Sequence, residues 1–257
     1  MPGSWIRVPD CRRAAQVRLF CFPHAGAGGS VYWPWSKDLP DWIEVCAVEL
    51  PGRETRLKEQ PFTRMSDLLD ALIPAIEDAF DRPFAFFGHS MGSALAHEAA
   101  VRLEQSGGPA PAHLFVSGRR SPTLAESEPP LHPLPDDEFL AEIMNRYGGI
   151  PEELLEHPDV ISLLLPSIRA DITVLETSAK SAGLDGAQAA RLSCPITAFG
   201  GIDDPRATRA KLDAWAELTS GAFRLRMFAG GHFYLTSQRG PLLRELEAAM
   251  IALRTTA

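Results

Sequence analysis

The chain has 257 residues, 45% of them hydrophobic and 23% charged, with 25 Lys and Arg against 33 Asp and Glu and a net charge of −8. That is the composition of an ordinary globular protein, and its acidic balance without a long basic tract argues against nucleic acid as a partner. The longest apolar run, residues 248–253, is far shorter than the ~20 residues of a membrane-spanning helix, so we expect no membrane association.

The N-terminal residues hold arginines and prolines where a secretory signal would be apolar. The four cysteines are widely scattered and form no CxxC pair. We therefore expect a cytoplasmic protein with reduced thiols.

Short β-rich runs alternate with helical patterns along most of the chain. After the second run, apolar residues from Met65 to Phe80 recur with the period of a helix, in which Pro74 predicts a kink. Another helix follows the third run through Leu95 and Leu103. This alternation predicts an α/β fold, a mostly parallel sheet with helices on both faces. The predicted strands are residues 17–22, 43–50, 83–88, 112–118, 194–200 and 223–229.

The alternation stops between residues 121 and 191, where a proline-rich entry leads into two or three helical patterns and no strand is predicted. We interpret residues 1–120 and 192–257 as the core and residues 121–191 as an inserted helical cap. Most apolar residues of this cap serve as ordinary packing. Because α/β sheets bind ligands at the carboxyl ends of their strands, the cap could also line a substrate channel.

A nucleophile elbow is predicted at the end of the third strand. Gly88-His89-Ser90-Met91-Gly92 has the G-x-S-x-G pattern and stands between a strand and a helix of small residues. The two glycines suit a sharp turn in which side chains would collide, and the turn places Ser90 at a helix N-terminus. The sequence therefore predicts Ser90 as a nucleophile.

A serine nucleophile needs a histidine base that a carboxylate orients. His232 follows the last predicted strand, at the same sheet edge as Ser90. Asp203 and Asp204 follow the strand before it, and either could orient His232. Pro205 restricts Asp204 to extended geometry, which favours Asp204, whereas Asp203 could cap the next helix. The order Ser, Asp, His is that of α/β-hydrolases.

An oxyanion hole requires two backbone amides. Met91, which follows the nucleophile, supplies one, and the glycine-rich loop at residues 22–29 should supply the other. The glycine spacing of that loop fits neither nucleotide-binding pattern, so we discount phosphate binding there.

Motifs along nearly the whole chain resemble those of the type II thioesterases that accompany nonribosomal peptide and polyketide synthases. They are residues 21–26, 50–56 (with P-G-R-E-x-R), 88–92, 147–151, 165–171 (with R-A-D), 201–205 and 230–233. The resemblance implies an α/β-hydrolase fold with a helical cap, Ser90 as nucleophile, His232 as base, Asp204 as its orienter, and the amides of Ala25 and Met91 as the oxyanion hole.

The same resemblance implies that the protein hydrolyses acyl or aminoacyl thioesters on the phosphopantetheine arm of carrier proteins and so clears stalled or misprimed synthases. It implies a monomer that needs no metal or organic cofactor. Carrier docking would use local basic residues: Arg53, Arg56, Lys58 and Arg64, or Arg119 and Arg120. The simpler interpretation of each cluster is a solvated surface.

Three other functions are compatible with these residues. An acyltransferase or a small-molecule esterase would present the same triad. A non-catalytic protein that binds carrier proteins could retain the same scaffold, although an intact set of Ser90, Asp204 and His232 argues against it.

Overall fold

The computed structural model describes residues 4–126, 128–148, 157–181 and 190–254. Its centre is a seven-stranded sheet in the order β1-β3-β2-β4-β5-β6-β7, parallel except for β1, which pairs antiparallel with β3. The strands are β1 (Ile6–Arg7), β2 (Val17–Phe22), β3 (Ile43–Val48), β4 (Phe84–His89), β5 (His113–Ser117), β6 (Ile196–Gly201) and β7 (Phe223–Phe228).

All six predicted strands are present, with ends within two residues of the expected positions. β1 was not predicted, because two residues are too few to show an alternating pattern. The parallel pairing brings the carboxyl ends of β2, β4, β5, β6 and β7 to one edge of the sheet. The segments that follow these strands therefore lie close together.

Helices cover both faces of the sheet. They are α1 (Trp35–Asp38), α2 (Met65–Ile76), α3 (Met91–Gln105), α4 (Asp136–Tyr147), α5 (Pro158–Ser181), α6 (Arg209–Asp213), α7 (Tyr234–Ser237) and α8 (Arg239–Met250). The predicted helices after the second and third strands correspond to α2 and α3. Pro74 lies inside α2, which ends two residues later and continues as a 3-10 turn over Glu77–Ala79.

Alternating side chains of the central strands build a core on each face. In β4, Phe84 and Phe86 pack on the side of α2 and α3, whereas Ala85 and Phe87 pack with Trp35 of α1 and with α8. Every residue of β3, β4 and β5 is buried and most are apolar, as expected for a sheet covered on both sides.

The described residues between β5 and β6 form the helices α4 and α5 and contain no strand. Residues 149–151 of one motif and most of the segment 178–190 lie outside the described residues. No helix within the described ranges is both long and apolar enough to cross a membrane.

Candidate active site

Ser90 occupies the turn between β4 and α3. Its backbone has φ 53° and ψ −113°, a left-handed conformation that is unusual for a residue with a side chain. A Cβ atom on Gly88 would collide with the backbone of Gly92, and one on Gly92 would collide with the carbonyl of Phe22. Only glycine therefore permits this turn at either position, as the sequence pattern predicted.

His232 and Asp204 form a buried pair after neighbouring strands. The Nδ1 of His232 donates to Oδ2 of Asp204 at 2.7 Å, and their side chains are 6% and 1% exposed. The other carboxylate oxygen of Asp204 accepts the backbone N–H of Arg206 at 2.9 Å. Asp203 is exposed to solvent, so of the two candidate aspartates only Asp204 is paired with His232.

The surroundings of Asp204 keep it ionised. Burial alone would raise the pKa of this carboxyl group, but the hydrogen bond from His232 and the backbone amides of Arg206 and Ala207 outweigh that effect and lower it. The carboxylate therefore fixes the tautomer of His232 and can stabilise a positive charge on the imidazole.

Ser90 and His232 line the same cavity, about 500 Å³ including its open mouth. The Nε2 of His232 is buried and has no hydrogen-bond partner among the described residues, so it remains available to accept a proton. No hydrogen bond joins it to Ser90 in this arrangement; such bonds often tighten only when substrate is bound. Apolar residues of α4 and α5 form the opposite wall: Ile143, Tyr147, Ile168, Ile172 and Leu175.

The two backbone amides predicted for the oxyanion hole are both unpaired. Neither Ala25 nor Met91 donates its N–H to a described residue. Ala25 lines the cavity beside Ser90, and Met91 begins α3, where the first N–H groups have no partner within the helix. These amides can therefore receive a developing negative charge.

Arg53 and Asp171 hold this loop in place, a role that the sequence interpretation missed. The Arg53 guanidinium donates to both carboxylate oxygens of Asp171, at 2.6 and 2.8 Å. The same carboxylate accepts the N–H of Gly26, next to Ala25, at 2.8 Å. The P-G-R-E and R-A-D motifs drew attention to these two residues. The sequence alone could not show that residues 118 positions apart form an ion pair.

Arg53 and Arg56 were predicted either to dock a carrier protein or to lie on a solvated surface. Both predictions were wrong for these two residues. Each residue is 3% exposed. Arg56 stacks over Trp5, pairs with Glu59 and donates to the carbonyl of Glu49. Of the same cluster, Lys58 and Arg64 are exposed.

Two further histidines lie close to His232. His89 packs 5.0 Å from it, and its Nδ1 bonds the hydroxyl of Ser117, which also bonds that of Tyr234. Burial lowers the pKa of His89 well below its ordinary value and that of His24 to about 4. Both rings therefore stay neutral at pH 7 and place no positive charge beside His232.

The described residues supply a serine hydroxyl, a free imidazole nitrogen, a carboxylate and two unpaired amides around one cavity. This set is suited to acyl transfer through a covalent acyl-serine. Within the described ranges, no group of three or more His, Cys, Asp or Glu residues could hold a metal ion.

Comparison with known proteins gives consistent matches. The family described as "Thioesterase domain" matches residues 17–250. The gramicidin S biosynthesis protein GrsT of Aneurinibacillus migulanus is 38% identical over 233 residues, which cover 91% of this chain and 88% of that protein.

Solved structures give the same result. The RedJ thioesterase of the prodiginine biosynthetic pathway in Streptomyces coelicolor is 36% identical, covers 93% of this chain and 87% of its own, and superposes with a TM-score of 0.82. BorB, a type II thioesterase from the borrelidin biosynthetic cluster, is 32% identical, covers 96% and 98%, and gives a TM-score of 0.81.

Proposed function

The chain belongs to the thioesterase family, and from this we propose that it is a type II editing thioesterase, which releases acyl or aminoacyl groups from the phosphopantetheine arms of carrier proteins. Similarity to GrsT, RedJ and BorB, which belong to gramicidin S, prodiginine and borrelidin biosynthesis, supports nonribosomal peptide or polyketide synthases as the setting. A carrier protein is then the partner.

The reaction has two halves. In the first, His232 Nε2 takes the proton of Ser90 as its oxygen attacks the thioester carbonyl, while the amides of Ala25 and Met91 stabilise the oxyanion. The carbon–sulfur bond then breaks, and the thiol of the arm leaves with the proton from His232. In the second, His232 takes a proton from water, the hydroxide attacks the acyl-serine, and the acid leaves as Ser90 recovers its proton.

The observation that carries this proposal is the unpaired Nε2 of His232 in the cavity that also holds Ser90, on a ring that Asp204 orients at 2.7 Å. The Nε2 atoms of His89 and His97 are also buried and unpaired among the described residues, but only the ring of His232 is oriented by a carboxylate and lines the cavity beside Ser90, an arrangement for which a protein that only binds carrier proteins has no use. Catalysis makes use of it.

We propose that residues 121–191 form a cap whose helices hold the acyl group. The apolar side chains that α4 and α5 contribute to the cavity support this role. An acyl chain would lie against Ile143, Ile168 and Leu175 with its carbonyl at Ser90. Burial of its methylene groups would contribute about 0.8 kcal/mol each.

The test is release of acyl groups from loaded carrier proteins, followed by intact-protein mass spectrometry over a series of chain lengths. We expect hydrolysis by the native protein and a loss of turnover of about 10⁴-fold or more in Ser90→Ala. Ser106→Ala, at the exposed residue that directly follows the same helix, is the matched control for handling and folding. Release by Ser90→Ala at the native rate would contradict the proposed mechanism.

A further inference from the structure

A second, larger groove adjoins the cavity that holds Ser90. Its space is about 3280 Å³ including its open side, and it runs between α3, the segment after β5 and the second half of α5. Tyr147, Ile172 and Leu175 line both spaces and so lie between them. The groove is therefore a path from the surface to the edge of the active site.

Six arginines among the described residues line this groove, and five of them have a carboxylate partner. The pairs are Arg64–Asp67, Arg102–Asp70, Arg120–Glu126, Arg146–Glu142 and Arg206–Glu128. Arg119 differs from the others. Its partly buried guanidinium makes no ion pair or hydrogen bond with any residue that the structure describes.

Arg119 lies at the inner end of the groove. It follows Gly118, where a Cβ atom would be 3.4 Å from Cε1 of His232. The Cα of Arg119 is therefore within about 9 Å of the catalytic imidazole. The ring of Tyr147 is 5.6 Å from that of His232, and the guanidinium of Arg206 is 4.5 Å above the Tyr147 ring.

An unpaired charge in this position is unfavourable in the free protein. Burial lowers the pKa of Arg119; Tyr147 and Glu126 raise it in part and the positive charges of Arg120 and Arg206 lower it, so on balance the surroundings oppose its protonated form. A purely structural arginine would have a partner that repays the cost of desolvation. An anion bound in the groove would supply one, with the bidentate geometry that guanidinium offers to phosphate.

We propose that Arg119 binds the phosphodiester of the phosphopantetheine arm while the thioester lies at Ser90. This inference rests on the proposed function. The backbone of Arg119 is within about 9 Å of the imidazole, and its side chain is long enough to meet the phosphate farther out along the groove, with the pantetheine chain lying between that phosphate and Ser90. The polar groove then receives the arm, and the apolar cavity receives the acyl group.

The experiment compares butanoyl-phosphopantetheine with butanoyl-pantetheine, which lacks only the phosphate. In Arg119→Gln we expect KM for the phosphorylated substrate to rise about tenfold or more, with kcat unchanged, because the interaction is equal in ground and transition states. KM for butanoyl-pantetheine should stay within about twofold of the native value, and Arg119→Lys should recover part of the loss.

Arg226→Gln is the matched control, since Arg226 lies outside the groove on β7, is paired with Glu245 and is 54% exposed. It should leave both KM values unchanged. The Tm of Arg119→Gln should equal or exceed the native value, because an unpaired charge is removed. A lower Tm with equal losses on both substrates would show a structural role and overturn the proposal. The proposal would also be overturned if Arg119→Gln lost activity only on thioesters whose acyl group carries a carboxylate, because Arg119 would then bind the acyl group and not the phosphate.

Binding without turnover separates this inference from the proposed function. Calorimetric titration of Ser90→Ala with phosphopantetheine and with pantetheine should show a preference for the phosphorylated ligand that Arg119→Gln abolishes. That preference, in a native protein that hydrolyses no thioester, would support the anion site and reject the function. Hydrolysis with no phosphate preference would reject the anion site alone.

Discussion

The edge of the sheet and the helices between β5 and β6 contribute to one cavity in different ways. Ser90, Asp204 and His232 stand in the segments that directly follow β4, β6 and β7, where the backbone fixes them. Helices α4 and α5 reach the site through side chains, and the buried Arg53–Asp171 pair ties α5 to the segment after β3. The positions of Ser90, Asp204 and His232 are thus encoded locally, whereas the attachment of α5 depends on residues that are distant in sequence.

The largest expected effect tests the sheet edge. Asp204→Asn removes the charge that orients His232, and we expect turnover to fall about 10³- to 10⁴-fold while the fold is retained. Initial rates on an acyl thioester measure the turnover, and a thermal melt checks that the fold is retained. Asp203→Asn, on the exposed neighbour, is the control and should have native activity. A greater loss in Asp203→Asn would reverse the assignment.

The next effect tests the attachment of the helices. Arg53→Met leaves Asp171 buried without its partner and should lower the free energy of unfolding by about 3–5 kcal/mol, measured by urea denaturation. The double variant Arg53→Met/Asp171→Leu should recover much of that loss, because no unpaired charge remains.

The control for this test is the Arg169–Asp136 pair, whose aspartate is 74% exposed. Asp136→Asn should cost less than about 1 kcal/mol. An equal loss in Asp136→Asn and Arg53→Met would mean that burial does not decide which pair anchors α5.

The smallest effect concerns pH. Burial lowers the pKa of His113, in β5, from 6.5 to about 4. Between these values the unfolded chain binds a proton that the native protein does not, so stability falls as pH falls. We expect His113 to account for about 1–2 kcal/mol of the loss between pH 7 and pH 5.

Urea denaturation at the two pH values should therefore show a smaller difference in His113→Gln, which can still bond Thr197. His157, exposed just before α5, provides the control, and His157→Gln should keep the native difference. If His157→Gln flattened the pH dependence and His113→Gln did not, the sensitivity would belong to the helical region and not to the sheet.

Sequence predicted the parts of the fold and site that depend on local patterns. The strands follow from apolar runs, and Ser90 follows from its glycines, because each signal spans only a few residues. The choice between Asp203 and Asp204 could not be made from local patterns alone. The structure decides it, because Asp204 bonds His232 whereas Asp203 is exposed.

Long-range pairing could not be predicted. From sequence alone a basic residue is expected at the surface. Arg53 is nevertheless buried, because it forms an ion pair with Asp171, which lies on a helix far along the chain. Arg119 and Arg120 are adjacent in sequence, but only the folded chain shows that Arg120 is paired with Glu126 whereas Arg119 has no partner in the part of the chain that the structure describes.

The hydrogen bond from Gly26 to Asp171 has a consequence for which acyl groups are hydrolysed quickly. A bulky acyl group that displaces α5 would also release the amide beside Ala25, so the carbonyl would be less polarised just when the largest substrates are bound. Size selection would then operate on turnover as well as on affinity, and oversized thioesters would bind as slow, competing substrates.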